Sequence, residues 1–246
     1  MKSKLFLLTL LLCISSYAQS AYLKVDYDFY VNFSSTKQYD ASLYIETNKL
    51  LFVYKMNKQR AIKNDENDFH ISLLGKDTLS NYVITDFKKD SLYSRVRWFE
   101  DKVYQLQEKK EKIQWTILNI TKKIGDYDCQ KAIGNFRGRK YIAWFTTSFP
   151  VSASPWKLQG LPGLVLKVSD SEGKIEFIFK SIEKIGNKKM LKLPNEKFER
   201  ISIKQYAKMQ RNYRDEVKKR IMSKMPRGMK VEIGKNTGAL EIFTEN

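Results

Sequence analysis

Hydrophobic and polar positions alternate along the first two thirds of the chain. Val25, Tyr27, Phe29, Val31 and Phe33 are interleaved with Asp26, Asp28 and Asn32, and this period of two predicts a half-buried strand. Residues 42–46 and 50–55 are short β-prone runs on either side of Thr47-Asn48, the pattern of a hairpin. Residues 55–67 are polar and charged and read as a loop. Further strand-like runs cover 81–87, 92–99 and 103–108, punctuated by Lys88-Lys89-Asp90 and Glu100-Asp101-Lys102. Runs at 113–118, 129–136, 139–146, 163–169 and 174–182 complete the set. Short strands at such regular spacing predict an antiparallel sheet, sandwich or barrel, and no βαβ alternation is visible.

The last third changes period. Ser202-Ile203-Lys204-Gln205 fits a capping box. Tyr206, Met209, Tyr213, Val217 and Ile221 then recur at helical spacing, which predicts one face of an amphipathic helix ended by Pro226 and Gly228. Residues 239–243 read as a final strand. The expected fold is mainly β, α+β at its edge: a curved antiparallel sheet, or a partly open barrel or sandwich, with a C-terminal amphipathic helix. Three segments follow: 1–20 as a signal peptide, 21–185 as the β domain, and 186–246 as a basic helical segment on or beside the sheet.

The signal reading rests on Lys2 and Lys4, an apolar core over 5–14, and small residues at Ala18 and Ser20. The apolar run is shorter than the ~20 residues a spanning helix needs, so the chain is expected to be exported and not membrane-spanning. Leu12 stands before Cys13 where a lipoprotein signal carries a small residue, which disfavours a lipid anchor. The expected location is the periplasm, cell envelope or exterior.

Composition narrows the chemistry. The 246 residues carry a net charge of +18, with one His and two Cys. His70 and two thiols do not supply a zinc finger, a zincin site or a haem attachment, so no metal and no cofactor are expected. A lone His is expected to be structural. Chemistry by carboxylate, Lys, Tyr or Ser remains open. Without residues 1–20 the charge is +16 and Cys129 is the only cysteine, so no internal disulfide forms. Cys129 is either a buried core thiol or a reactive one, and Asp126 and Asp128 would raise its pKa.

Of that charge, +11 lies in residues 186–230. Lys204, Lys208, Arg211, Lys218 and Lys219 could form a solvated helix face or contact an anionic lipid or envelope surface. Export excludes nucleic acid as a partner. Trp98, Trp115, Trp144 and Trp156 could line a concave face for an apolar or sugar ligand, or fill the core. Gly160-Leu161-Pro162-Gly163 predicts a type II turn with Gly163 at the positive-φ position. A phosphate loop is disfavoured, since no glycine-rich run opens a helix.

Several linked motifs resemble one family. Gly160-Leu161-Pro162-Gly163-Leu164-Val165 is similar to the hexapeptide that names the GLPGLI family of exported Bacteroidota proteins, with Val in the last place. Asp126-Tyr127-Asp128-Cys129-Gln130-Lys131-Ala132 resembles its Gly-Tyr-x-Cys-x-Lys-Ala segment, with Asp126 in place of Gly. The strand through Ala143-Trp144-Phe145, Phe149-Pro150 and Ser154-Pro155 follow in the family's order, and Ala239-Leu240-Glu241-Ile242 resembles its terminal segment. The resemblance implies export and a β-rich fold and assigns no catalytic residue.

The reading that unites these features is an exported cell-envelope protein that binds or assists without catalysis, taking a hydrophobic or envelope ligand, with an envelope protein or anionic surface as partner. Two alternatives stand beside it. One is a hydrolase using carboxylate or Tyr side chains. The other is an accessory of an outer-membrane transporter or secretion machine. Ligand, partner and oligomeric state stay open.

Overall fold

A computed structural model describes residues 22–33, 35–57, 79–100, 102–186, 198–225 and 239–243. The signal segment 1–20, His70 and the helix terminators Pro226 and Gly228 lie outside the described residues. Among the described residues, twelve strands form one open sheet, in the order β12-β6-β5-β4-β3-β2-β1-β11-β10-β9-β8-β7. The fold is mainly β, with two short helices near the C-terminus.

The sheet is centred on β1 (Tyr22–Asn32), whose odd-numbered residues from Leu23 to Val31 are all buried. It pairs antiparallel with β2 (Thr36–Ile45) and β11 (Ile175–Ile185). The β2 strand turns through Thr47-Asn48 into β3 (Lys49–Met56), closed by the Glu46 N–H donating to Lys49 O at 2.9 Å. Beyond it lie β4 (Asn81–Asp86), β5 (Ser91–Arg97) and β6 (Val103–Lys109). On the other side of β11 lie β10 (Leu164–Asp170), β9 (Arg139–Thr146), β8 (Tyr127–Phe136) and β7 (Thr116–Ile124). Inward rings interlock across the central strands. Phe29 stacks on Phe177 with ring centroids 4.4 Å apart, and Phe52 meets Phe177 edge-on at 5.7 Å. The buried Tyr27 hydroxyl donates to Val165 O at 2.7 Å.

Three strands depart most from the sequence reading. The second begins at Thr36, six residues before the expected run at 42–46. The seventh starts and ends later than the expected run at 113–118, because the polar stretch Asn119–Lys123 is strand at an exposed edge with little apolar alternation to betray it. The twelfth, β12 (Glu199–Ser202), is four residues long and pairs parallel with β6. The basic C-terminal segment therefore contributes a strand to the sheet. The expected final strand at 239–243 is irregular chain instead, tied by the Ile242 N–H to Arg137 O at 3.0 Å.

The capping box forms as the sequence predicts: Ser202 accepts from the Gln205 N–H, and Gln205 Oε1 accepts from the Ser202 N–H at 2.7 Å. The single expected helix is two, α1 (Ile203–Arg211) and α2 (Tyr213–Lys224), interrupted at Asn212. The apolar stripe survives the interruption. Tyr206, Met209 and Tyr213 are half-buried and Val217 is buried.

The connection between β9 and β10 fills the space between the two halves of the sheet. Loops usually run over the surface because buried backbone needs partners. Here residues 153–159 are all buried, and the partners are present. Ala153 N–H donates to Gly163 O at 3.1 Å and Val165 N–H to Ala153 O at 2.9 Å. The Gln159 amide accepts from Ser154 N–H at 3.1 Å and donates to Ser154 O at 2.7 Å. The Trp115 indole N–H donates to Gln159 O at 3.2 Å. Burying Trp156 and Leu158 stabilises this plug by about 1.5–3 kcal/mol for each side chain.

The expected type II turn is corrected. Gly160 has φ +118°, whereas Gly163 does not occupy the positive-φ region. Gly163 is needed for close approach: a Cβ there would lie 2.3 Å from Thr146 O.

Candidate functional site

The plug brings Lys157 to the centre of a buried ionic cluster. Its side chain is only 2% exposed and bonds Glu108 Oε1 on β6. It also donates to both oxygens of Glu241, at 3.0 and 3.1 Å. Arg137, in the β8–β9 turn, donates to Glu108 Oε2 at 2.6 Å and lies 3.5 Å from Glu241 Oε1. One buried and one partly buried cation thus meet two buried carboxylates, the arrangement that lets charges leave water. Burial opposes the charge on Lys157, but the Glu241 and Glu108 carboxylates outweigh it and hold the ammonium pKa above its usual value. Burial lifts the Glu241 carboxyl above the usual carboxylate range; Lys157 opposes that lift and Glu108 adds to it.

The turn that supplies Arg137 is a two-residue hairpin loop, Arg137-Gly138, with φ +48° and +71°. Positive φ at both positions matches the twist of a β-hairpin. The left-handed conformation is unfavourable for arginine and is held by its ion pairs. Arg139 clamps the C-terminal segment as well. Its guanidinium donates to Ala239 O at 2.7 Å, Leu240 O at 3.2 Å and Asp170 at 3.0 Å.

Beside the cluster lies a half-open cleft of about 320 Å³. Its walls come from the ends of β4 and β5, from Trp156 and Lys157 of the plug, from Tyr206, Gln210 and Tyr213 of the helices, and from residues 239–241. Trp98 meets Tyr213 edge-on at 5.6 Å, and Tyr213 stacks on Phe99 at 5.3 Å. Tyr54 and Ser94 line the interior with Leu106. Burial lifts the phenols of Tyr54 and Tyr206 above their usual pKa, so both remain protonated at neutral pH. Among the described residues, the buried Ser94 hydroxyl has no hydrogen-bond partner.

Of the four tryptophans, Trp98 and Trp156 reach this cleft. Trp115 is elsewhere, packed over Gly134, where a Cβ would fall 2.7 Å from its ring. Trp144 carries Lys122 4.0 Å above its ring and Lys131 at 5.8 Å. In the hexapeptide, Leu161, Gly163, Leu164 and Val165 are buried, while Gly160 and Pro162 are exposed. Pro150 is exposed ahead of the buried residues of the plug, and Pro155 is buried among them. Cys129 is a buried free thiol on β8, and burial pushes it up to about 11. Lys204, Lys208, Arg211, Lys218 and Lys219 are all exposed on the helices. Among the described residues no group of His, Cys, Asp and Glu side chains is placed to hold a metal ion, and no helix is long and apolar enough to cross a membrane.

The sequence reading did not single out Glu108, Arg137, Lys157 or Ser94. The signal for Lys157 was its place between the large apolar side chains Trp156 and Leu158.

A family model described as N-glycanase peptide, N-terminal domain, matches residues 35–208. The chain belongs to that family. Two solved structures share the fold. One is titled as PNGF-II in space group C2, with TM-score 0.52 and 17% identity over 77% of this chain and 32% of that one. The other is PNGF-II in space group P21, with TM-score 0.52 and 17% identity over 77% of this chain and 33% of that one. The chain therefore spans about a third of the PNGF-II chains it matches. No curated protein matches it in sequence. The family match takes in β2 to β12 with most of α1, and so includes the plug. Residues 239–241 of the cleft wall and all of α2 lie beyond it.

Proposed function

We propose that this chain is an exported, non-enzymatic accessory domain that binds a cell-envelope ligand in the cleft beside Lys157. The observation that carries the reading is the cleft itself: half-open, walled by aromatic rings, and backed by charges that are already paired. Ligand sites combine an apolar lining with a few fixed polar groups in this way. Membership of an N-glycanase N-terminal domain family supports an accessory role next to glycan chemistry. The GLPGLI-like motifs and the leader-like residues 1–20 support export to the periplasm or envelope.

One observation favours the hydrolase alternative. Glu241 lines the cleft and its carboxyl is held above the usual range, as a general acid would be. Against it, both Glu241 oxygens accept from Lys157, which leaves neither free to deliver a proton.

The test is to incubate the purified chain with an N-glycosylated peptide and to follow binding and mass together. Binding with unchanged mass is expected. Release of glycan or of any sugar overturns the non-enzymatic reading.

A further inference from the structure

The face of the sheet turned away from the buried core carries a feature that the cleft does not use. Trp144 lies on β9 between Ala143 and Phe145, both buried, so alternation turns its indole to the opposite face. In register it stands opposite Lys131 on β8 and Lys167 on β10. Lys122, on the edge strand β7, holds its ammonium 4.0 Å from the ring centroid, and Lys131 holds its own at 5.8 Å. Two residues along, Ile133 and Ile142 oppose each other on the same side, both half-buried. The solvated face of an antiparallel sheet is normally polar. Here an indole and two isoleucines lie within a rim of lysines.

The charges of that rim are only partly balanced. Lys167 is paired with Glu176 at 2.8 Å. Among the described residues, Lys122 and Lys131 make no ion pair. Burial of its stem, with repulsion from Lys167 and Lys131, holds the Lys122 ammonium below its usual pKa. An anion at this face would relieve that repulsion. We infer that the outer face of β7 to β10 docks on an anionic lipid surface, with Trp144 at the water–lipid boundary and Lys122 and Lys131 against lipid phosphates. The cation type selects lipid over an acidic protein. Carboxylates are met best by the planar fork of arginine, whereas lysine suits phosphate as a point charge. Indole rings settle at the membrane–water interface, and lysine stems span from apolar surface to headgroup. Ile117 and Ile120, exposed on β7 at 43% and 47%, extend the apolar surface at the rim.

The test is co-sedimentation of the full chain with vesicles of phosphatidylcholine alone and of equimolar phosphatidylcholine and phosphatidylglycerol, with soluble polyglutamate as the acidic-polypeptide comparison. Binding to the mixed vesicles alone is expected, weakening as salt rises. Lys122→Gln and Lys131→Gln should each weaken it about fivefold, the worth of one cation at an anionic surface. Lys218→Gln and Lys219→Gln, which remove the same charge from α2, should weaken it less. Tryptophan emission should shift to the blue on the mixed vesicles, and Trp144→Phe should remove most of that shift. The lysine variants decide the matter if Trp144→Phe does not fold. Failure to bind the mixed vesicles, equal or greater loss from the α2 variants, or an emission shift unchanged in Trp144→Phe overturns the inference. Tighter binding of polyglutamate than of the mixed vesicles overturns it in favour of an acidic protein partner.

Discussion

Arg137 donates to Glu108 at 2.6 Å across 29 residues of chain, joining the β8–β9 turn to β6. In the sheet those elements stand second from opposite edges. The sheet is open in its backbone pairing, yet side-chain charge draws its two ends together. Lys157 sits in the gap and Glu241 caps it, so one cluster fixes the sheet's curvature, the plug and the C-terminal segment. The cleft exists because these three parts meet there.

Replacing the central ammonium is therefore expected to be costly. Lys157→Met leaves two buried carboxylates with one cation between them, and breaking such a cluster costs about 3–5 kcal/mol. The loss has a direction in pH. Glu241 is held above 4.5 in the folded chain even with Lys157 present. A carboxyl with a raised folded pKa contributes stability that is full below the unfolded value and is lost as pH rises through the folded one. Urea unfolding of Lys157→Met should thus give a higher midpoint near pH 5 than near pH 7.5, with a larger difference than in the wild type. Equal midpoints for the variant and the wild type at neutral pH would show that the cluster does not hold the fold.

The two glycines Gly163 and Gly173 make a paired test of why glycine is required. A Cβ at Gly163 would sit 2.3 Å from Thr146 O, a backbone atom that cannot swing aside. Gly163→Ala should destabilise by about 1–3 kcal/mol or more through overpacking. Gly173 has φ +67° and nothing within 4 Å of a built Cβ, so Gly173→Ala meets only backbone strain, about 1 kcal/mol. Thermal unfolding of the two variants should rank them in that order.

Cys129 should be inert while the chain is folded. With Cys13 removed, a thiol reagent at pH 8 should label no cysteine in native protein and one after denaturation. Because the folded thiol is raised from 9.0 to about 11, its contribution to stability is full below pH 9 and is lost as pH rises through about 11. Alkaline unfolding of Cys129→Ala should show a shallower decline over that window.

Alternation along β1 and the capping box at Ser202 were legible in sequence because each is written in neighbouring residues. The polar edge strand β7 was not, since its outward side chains hide the period, and β12 is too short to show one. The helix stripe through Tyr206 and Tyr213 was legible as a packing face, but what it faces was not. Trp98 and Trp156 stood out as candidates, yet Trp115 and Trp144 looked the same in sequence and lie elsewhere. The ionic cluster joins Glu108, Arg137, Lys157 and Glu241, up to 84 residues apart along the bonded pairs. No local spacing encodes that meeting; only the curl of the sheet creates it.

The position of the binding site is the claim on which the account turns, and hydrogen exchange measures it directly. The chain would be labelled alone and in the presence of a saturating N-glycosylated peptide. Protection is expected at 96–99 at the end of β5 and at 206–213 along the helices, with β7 unchanged. Protection confined to β7, or no change at either cleft segment in a complex known to form, would contradict it.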